Sequence, residues 1–391
     1  LSSSGHPRRI NTSRQQLSKA RRHPSRRAHH CTCSRNKKLI ARMAAVPAWL
    51  LSSLASLGAL YVSAVAIRFL SYLALILRRP KDLRCRYGSW AVITGPTAGI
   101  GRSMSLELAR RGLNLVLVGR DPAKLRDISE TISSTHAVQT RTVLFDFSLA
   151  STPQGEKAVR RLREAVEGLD VGVLVNNAGV AKPGAVYLHE VAVEAWVRMI
   201  RVNLWALTEV TAAVLPGMVE RGKGAIVNIG SGSGSLLPSY PLYSVYSATK
   251  RYAAGFSRSL AVEYRRKGID VQCQVPLLVE TNMVSNDVKG SFVPQFVLAP
   301  DAYARDAVGW IGHGTLCVPS VAHRFQAWTI SLSPDFGYDA HILNKHLQHR
   351  DIFRRLRPWR KNSQGNSRNG SVDVATQQDK SGVCSEAPTS G

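Results

Sequence analysis

Residues 88–300 alternate short, wholly apolar runs with amphipathic segments, and this alternation constrains the fold more than any other feature of the chain. The apolar run 90–94 is followed by Ile100, Met104 and Leu108, which lie four residues apart as on one face of a helix. Further apolar runs follow at 113–118, 143–145, 171–175, 225–229 and 271–275. Continuous apolar strands separated by amphipathic helices predict an α/β fold with a doubly wound parallel sheet.

An apolar segment precedes this region. No charged residue occurs within residues 44–67, and after Arg68 the chain is apolar again to residue 77. A helix over the uncharged run would be about 36 Å long, enough for a hydrocarbon core of about 30 Å. A cleaved signal peptide would have a shorter apolar run. We therefore expect a membrane anchor, a single transmembrane helix, at 44–77.

The net charge of +26 is unevenly distributed, with 52 Lys and Arg against 26 Asp and Glu. Residues 1–42 hold 12 of the basic residues and no acid. This basic, disordered leader fits a transit-type presequence, a nucleic-acid-binding arm or a non-native extension upstream of a start at Met43; we favour the last. Residues 78–87 form a basic juxtamembrane linker, and positive charge beside a span predicts that residues from 88 onward face the cytosol.

A glycine-rich loop joins the first predicted strand to the first helix. It reads Thr94-Gly95-Pro96-Thr97-Ala98-Gly99-Ile100-Gly101. Glycines let the backbone approach a pyrophosphate, and the free N–H groups of a helix N-terminus stabilise its charge. The strand–loop–helix context predicts a Rossmann-type dinucleotide site formed by Gly95, Thr97, Gly99, Ile100 and Gly101.

Further motifs follow in a fixed order. Asn176-Asn177-Ala178-Gly179 comes after the fourth strand, Asn203 lies in the next helix, Ser231 ends the fifth strand, and Tyr246 and Lys250 open a long helix. Together with the G-x-x-x-G-x-G loop, these motifs resemble the short-chain dehydrogenase/reductase family over about residues 88–300. The resemblance implies a single Rossmann-type catalytic domain, an oxidoreductase with Tyr246, Lys250, Ser231 and Asn203 as its catalytic residues.

The residue types suit proton transfer to a carbonyl oxygen. Tyr246 and Lys250 are four residues apart and share a helix face, and a neighbouring ammonium is expected to lower a tyrosine pKa from about 10. Ser231 would donate a hydrogen bond to the substrate oxygen, although Ser233 has the more usual spacing from Tyr246 and stays an alternative. By the resemblance, Asn203 positions a water molecule that links Lys250 to solvent.

The end of the second strand indicates which cofactor is used. Gly119 stands where an NAD enzyme has an acid for the ribose 2′-hydroxyl, and Arg120 suits a 2′-phosphate, so NADPH is expected. The resemblance adds contacts to the nucleotide from Asp146, Asn177, Lys250 and Thr281. No cluster of residues has metal-ligand spacing, and we expect no metal.

The substrate is suggested by the stretches 238–246 and 271–276, which look like those of the plant very-long-chain 3-oxoacyl-CoA reductases of fatty-acid elongation. Ala98 and Glu280 depart from that pattern. The resemblance implies NADPH-dependent reduction of a very-long-chain 3-oxoacyl-CoA at the endoplasmic reticulum membrane, with the catalytic domain in the cytosol. The alternatives are a 17β-hydroxysteroid dehydrogenase-type reductase of a steroid or other lipophilic ketone, and a catalytically silent scaffold that binds NADPH.

The expected partners are a long-chain acyl-CoA, the membrane, other elongase subunits and a second copy of the chain, but no nucleic acid. Residues 278–300 fit either a lid over the acyl chain, lined by Phe292, Phe296 and Val297, or a packed surface loop. Residues 301–360 are expected to extend the catalytic domain. Residues 361–391 are polar and are expected to be a disordered tail.

Overall fold

The computed structural model describes residues 47–76, 80–281, 283, 297–332 and 334–368, and it divides into two compact units, 1–78 and 79–391. The predicted leader, Phe292 and Phe296 of the predicted lid, and the tail beyond 368 lie outside the described residues. The first unit contains helix α1, Ala48–Ile76. Its segment Ala48–Ser71 has a mean hydropathy of 1.9 and no buried residue, so it is apolar and long enough to cross a membrane.

The second unit is built on a parallel sheet of seven strands in the order β3-β2-β1-β4-β5-β6-β7. The strands are β1 Trp90–Thr94, β2 Asn114–Gly119, β3 Thr140–Leu144, β4 Val171–Asn176, β5 Gly224–Ile229, β6 Ile269–Gln274 and β7 Leu316–Cys317. The α-helices among the described residues of this unit are α2 Leu83–Tyr87, α3 Gly99–Arg110, α4 Pro122–Thr135, α5 Pro153–Val166, α6 Val193–Ile200, α7 Ala206–Glu220, α8 Gly232–Ser235, α9 Ser244–Tyr264, α10 Pro300–Gly309, α11 Val321–Ser331 and α12 Asp335–Arg368. The predicted α/β fold with a doubly wound parallel sheet is confirmed.

Helices cover both faces of the sheet, which explains why the strands are apolar throughout. In β1, Ala91 and Ile93 belong to the core on one face, whereas Trp90 and Val92 belong to the core on the other. Successive strand side chains point to opposite faces, so a strand covered on both sides needs no polar position. The apolar segment within Val193–Glu220 is half buried in this unit and forms part of its core.

Local sequence signals determine where the helices begin and which face they bury. In α4, the Asp121 carboxylate caps the first turn by accepting from the N–H groups of Ala123 and Lys124. Pro122 occupies the first helical position, where its missing N–H needs no partner. The side chains that α4 buries against the sheet are Leu125, Ile128 and Ile132.

The basic stretch before β1 is part of the globular unit. Leu83 and Tyr87 of α2 are only 2% and 1% exposed and belong to the core. Lys81 Nζ donates to the Gly312 carbonyl at 2.6 Å and to Asp270 Oδ2 at 3.3 Å, and the Tyr87 hydroxyl donates to the same carboxylate. The chain is therefore part of the folded unit from about residue 80. The sequence had predicted a linker over residues 78–87.

The carboxyl end of the described chain also differs from the expectation. Helix α12 continues to Arg368, so residues 361–368 are helical where a disordered tail was expected from 361. The polar composition of this stretch favours helix less than an amphipathic segment does, but α12 already extends over more than 25 residues before it, and propagation of a helix is easier than its nucleation.

The first prediction concerns the packing of α2. Leu83→Ala should lower the free energy of unfolding by about 2–5 kcal/mol, because it removes a buried side chain and leaves a cavity. Cys85→Ala on the exposed face of the same helix is the control and should change it by less than about 0.5 kcal/mol. Denaturant unfolding of the detergent-solubilised full chain measures both. Equal effects would mean that α2 is not part of the core.

Candidate active site

The sequence motifs converge at the carboxyl edge of the sheet. The glycine loop follows β1, Asn177 follows β4, Ser231 follows β5 and Thr281 lies beyond the end of β6. From β1 the sheet continues outward on one side through β2 and β3, and from β4 it continues outward on the other side through β5, β6 and β7. A crevice therefore opens between β1 and β4. Ligands of open parallel sheets bind at this kind of switch point.

The glycine loop has a conformation that larger residues would disrupt. Gly95 and Gly99 have φ angles of +66° and +53°, in the left-handed region that favours glycine. A Cβ at Gly101 would lie 2.1 Å from the Gly95 carbonyl oxygen and 2.3 Å from Asn177 Nδ2. A Cβ at Gly99 would lie 2.9 Å from Thr281 Cγ2, so the predicted cofactor residues Gly99 and Thr281 are neighbours.

Helix α3 begins in this loop and leaves its N-terminal turn open to a ligand. The N-cap residue is Ala98, which has no side-chain acceptor for the first N–H groups. Thr97 and Ile100 flank it and are partly buried. A helix of 12 residues with an uncapped N-terminus beside a close backbone turn fits the pyrophosphate of a dinucleotide.

The side chain of Asn177 holds the glycine loop by hydrogen bonds to its backbone. Its Nδ2 donates to the carbonyls of Thr94 at 3.0 Å and Gly95 at 3.1 Å. Thr94 Oγ1 in turn accepts from the backbone N–H groups of Asn177 and Ala178, both at 3.0 Å. The side chain of Asn177, predicted to contact the cofactor, is thus directed to the loop backbone. Thr94 is a residue that the sequence reasoning missed; its signal was a polar residue at the last position of an otherwise apolar strand.

Tyr246 at the start of α9 is hydrogen-bonded to the side chain of Ser231. Burial raises the pKa of Tyr246, while a hydrogen bond with the Ser231 side chain acts in the opposite direction. The net direction is upward, contrary to the lowering expected from Lys250 in the sequence. A tyrosine with a raised pKa keeps its proton at neutral pH and can give it to an acceptor.

Ser231 and Ser233 have different places in the site. Ser231 is the N-cap of α8, and its Oγ accepts from the Ser233 hydroxyl at 2.9 Å and from the Ser233 N–H at 3.3 Å. Ser233 is buried behind it. Of the two serines left open by the spacing, the geometry favours Ser231 as the one facing Tyr246.

Lys250 lies one helical turn after Tyr246 and is buried. Its Nζ donates to the Ile229 carbonyl at 2.9 Å, and burial lowers its pKa to about 8. A Cβ at Gly179 would lie 3.3 Å from this Nζ and 3.5 Å from Asn203 Oδ1. The absence of a side chain at Gly179 therefore leaves space between the amine and the asparagine.

Asn203 lies in a π-helical turn, Arg201–Trp205, between α6 and α7. Its Oδ1 accepts from Val180 N at 2.8 Å, and its Nδ2 donates to Val180 O at 2.9 Å and to Thr249 Oγ1 at 3.1 Å. Single π-turns inside helices are frequent at functional sites. The side chain ties the loop after β4 to helix α9, and its role in positioning a water molecule stays a prediction.

The remaining predicted cofactor residues follow β2 and β3 at the same edge. Arg120 comes directly after β2 and is exposed, whereas Gly119 is buried. Asp146 caps a short 3₁₀ turn after β3, where its Oδ1 accepts from Ser148 N at 3.0 Å and Ser148 Oγ at 2.8 Å. Arg120 is therefore accessible to a ligand, while one Asp146 oxygen is used to hold its own loop.

The base of the predicted lid is held by backbone pairing. Leu298 N donates to Leu278 O at 3.0 Å, and Glu280 N donates to Leu298 O at 2.8 Å. Val297, predicted to line the acyl site, is partly buried beside this pairing. The two ends of the segment are therefore adjacent at the carboxyl edge of the sheet.

Comparison with known proteins agrees with this geometry. The family model for short chain dehydrogenase matches residues 89–291. The chain belongs to this short chain dehydrogenase family. Its predicted family and class, an oxidoreductase of this fold, are therefore confirmed.

Individual relatives give more detail. A very-long-chain 3-oxoacyl-CoA reductase-like protein of Arabidopsis thaliana is 44% identical over 71% of this chain and 86% of its own length. An inactive hydroxysteroid dehydrogenase-like protein 1 of Pongo abelii is 38% identical over 68% and 79%. The solved short-chain dehydrogenase of Sphingobium yanoikuyae in complex with NADPH is 32% identical, with a TM-score of 0.52, over 61% of this chain and 91% of that one.

The second prediction tests the close approach in the glycine loop. Gly101→Ala should lower the free energy of unfolding by several kcal/mol, since its Cβ has no space beside the Gly95 carbonyl. Gly255→Ala is the control, because no atom lies within 4 Å of its Cβ position in helix α9. It should be neutral or stabilise the protein by about 0.5–1 kcal/mol. Denaturant unfolding measures both, and a stable Gly101→Ala variant would contradict the described loop.

Proposed function

We propose that this short chain dehydrogenase reduces a very-long-chain 3-oxoacyl-CoA to the 3-hydroxyacyl-CoA with NADPH, in fatty-acid elongation. The observation that carries the proposal is the hydrogen bond between Tyr246 and Ser231, with the buried Lys250 one helical turn after Tyr246. The Arabidopsis relative, named as a reductase-like protein of this substrate class, supports the choice of substrate.

NADPH is proposed as the cofactor for two reasons. Arg120 is exposed directly after β2, where a cation can bind a 2′-phosphate, and no acid stands at Gly119 to bind a 2′-hydroxyl. The Sphingobium relative is described in complex with NADPH. When bound, NADPH supplies the hydride for reduction of the ketone.

The proton and the hydrogen bonds come from the chain. Tyr246 is protonated at neutral pH, and burial raises its pKa further, so its hydroxyl can donate the proton that the carbonyl oxygen requires. Ser231 donates a hydrogen bond to the same oxygen and stabilises the charge that develops on it. Lys250, with its pKa lowered to about 8, is still largely an ammonium at pH 7 and stabilises the phenolate left after transfer.

The location of the reaction is part of the proposal. Helix α1 is long and apolar enough to span a membrane, and substrates with very long acyl chains partition into lipid. We propose that the chain is anchored in the endoplasmic reticulum membrane with its catalytic unit in the cytosol. Other elongase subunits and a second copy of the chain are proposed partners.

A second candidate is a catalytically silent protein that binds NADPH. It is favoured by one observation, the inactive relative of Pongo abelii at 38% identity. The contact of Tyr246 with Ser231 argues for activity, because cofactor binding alone does not require a proton donor there. Reduction of a steroid or another lipophilic ketone stays the alternative within the same chemistry.

The third prediction tests the proton donor. Tyr246→Phe should reduce turnover of a long-chain 3-oxoacyl-CoA by about 10²–10⁴-fold, because the general acid is lost, while NADPH affinity is retained. Tyr264→Phe, at the far end of helix α9, is the matched control and should keep wild-type turnover. NADPH oxidation and nucleotide binding are measured on the full chain in membranes.

The same assay separates the candidate functions. If the wild-type protein binds NADPH but reduces no 3-oxoacyl-CoA of any chain length, the result would support the silent scaffold. If the protein reduces only a steroid ketone, the proposed substrate changes from an acyl-CoA to a steroid. An active Tyr246→Phe variant would contradict the proposed role of Tyr246 as proton donor.

The fourth prediction tests the cofactor. Arg120→Ala should weaken NADPH binding about tenfold or more, since it removes a charge-assisted contact to the 2′-phosphate, and should leave NADH binding within about twofold. Arg126→Ala, an exposed arginine of helix α4, is the control and should change neither affinity. Fluorescence titration gives the dissociation constants. Equal losses for both nucleotides would overturn the assignment of Arg120.

A further inference from the structure

The turn that leads into the catalytic helix has an unfavourable backbone conformation. Residues 236–243 connect α8 to α9, and Leu242 within them has a φ angle of +64°. A leucine rarely adopts this left-handed conformation, which persists only when its surroundings fix it. Tyr246 follows four residues later, so the geometry of this turn sets where the catalytic helix begins.

Among the hydrogen bonds that hold the turn, two join it to helix α12. The Leu242 carbonyl accepts from Val186 N at 3.1 Å. The Pro241 carbonyl accepts from His346 Nδ1 at 2.6 Å, and the Ser239 hydroxyl donates to Asp339 Oδ1 at 2.5 Å. His346 and Asp339 are seven residues apart and therefore lie on the same face of α12.

His346 also packs between two tyrosines of the turn. Its ring is 4.5 Å from that of Tyr240 and 4.9 Å from that of Tyr243, both edge-on, and it is 3% exposed. Burial, and to a smaller extent the neighbouring Tyr246, raises the pKa of both tyrosines, so both lie near Tyr246. The ring of His346 thus packs against two residues that are close to Tyr246, the proposed proton donor.

The protonation of His346 follows from its surroundings. Burial lowers its pKa, so the ring is neutral at physiological pH. The Pro241 carbonyl can only accept, so Nδ1 carries the single ring hydrogen. The bond is therefore a fixed donor contact between the catalytic turn and a helix more than 100 residues away in sequence.

We propose that His346 is a positioning residue for Tyr246. By donating to the Pro241 carbonyl, it holds the strained turn, and with it the start of α9, so that the Tyr246 hydroxyl stays within reach of Ser231. This proposal rests on the proposed function for its catalytic consequence, although the hydrogen bond itself can be tested without turnover.

Two substitutions separate the hydrogen bond from simple packing. His346→Phe keeps an aromatic ring between the two tyrosines but has no donor. His346→Asn loses the ring but retains a donor, because Asn Nδ2 lies close to the place of His Nδ1. His341→Phe makes the same exchange at an exposed position of α12 and is the control.

The fifth prediction is made for the full chain in membranes, assayed with NADPH and a long-chain 3-oxoacyl-CoA. His346→Phe should lower kcat about tenfold or more, since small displacements of a catalytic group slow proton transfer, with NADPH affinity within about twofold of wild type. His346→Asn should keep kcat within about threefold, and His341→Phe should match wild type. In hydrogen exchange, amides of residues 239–246 should exchange faster in His346→Phe than in His346→Asn.

Several outcomes would overturn the proposal. Equal losses of kcat in the Phe and Asn variants would assign the effect to packing, and a parallel loss of NADPH affinity would assign it to general destabilisation. Wild-type kcat and exchange in His346→Phe would remove any role for the bond. If the wild-type protein reduces no ketone, the proposed function fails, and the exchange of residues 239–246 still decides whether His346 holds the turn.

Discussion

The contact between the first turn of α3 and the end of β1 is the constraint on which the site depends. Gly101 lies so close to the Gly95 carbonyl and to Asn177 that no side chain fits between them. This approach brings the N-terminus of α3 to the edge of the sheet, and the hydrogen bonds between Asn177 and Thr94 join β4 to the same point. The crevice between β1 and β4 is therefore defined by backbone packing before any ligand binds.

The electrostatics of the proton-transfer group follow from burial more than from pairs of charges. The pKa of Tyr246 is raised and that of Lys250 is lowered to about 8, and burial is the main cause of both shifts. Because the ordinary pKa values of the two groups are 10.0 and 10.5, these shifts move their proton affinities apart, and the tyrosine holds its proton more strongly than the lysine. The buried tyrosine is therefore protonated at neutral pH, and its proton is available to an acceptor in the site.

Much of the fold and of the site was predictable because the signals are local. Strands buried on both faces are apolar at every position, glycines in the loop are needed by the backbone itself, and Tyr246 and Lys250 have helical spacing. The contacts that were missed join distant parts of the chain. Thr94 acts on the loop after β4, Leu83 is buried by elements beyond it, and His346 reaches the turn before α9 from 105 residues away. No periodicity in the sequence reports such pairs, and the direction of the Tyr246 pKa depends on burial that only the folded chain shows.

The cluster of Lys81, Tyr87 and Asp270 has a mechanical consequence. It joins the incoming chain to the start of β6 and to the Gly312 carbonyl, at the amino edge of the sheet. Tension applied at residue 80 is carried by these bonds into the strand ends, whereas the glycine loop and Tyr246 lie at the opposite edge. A pull on the chain at residue 80 would therefore meet these bonds first, at the edge of the sheet opposite the loops of the candidate active site.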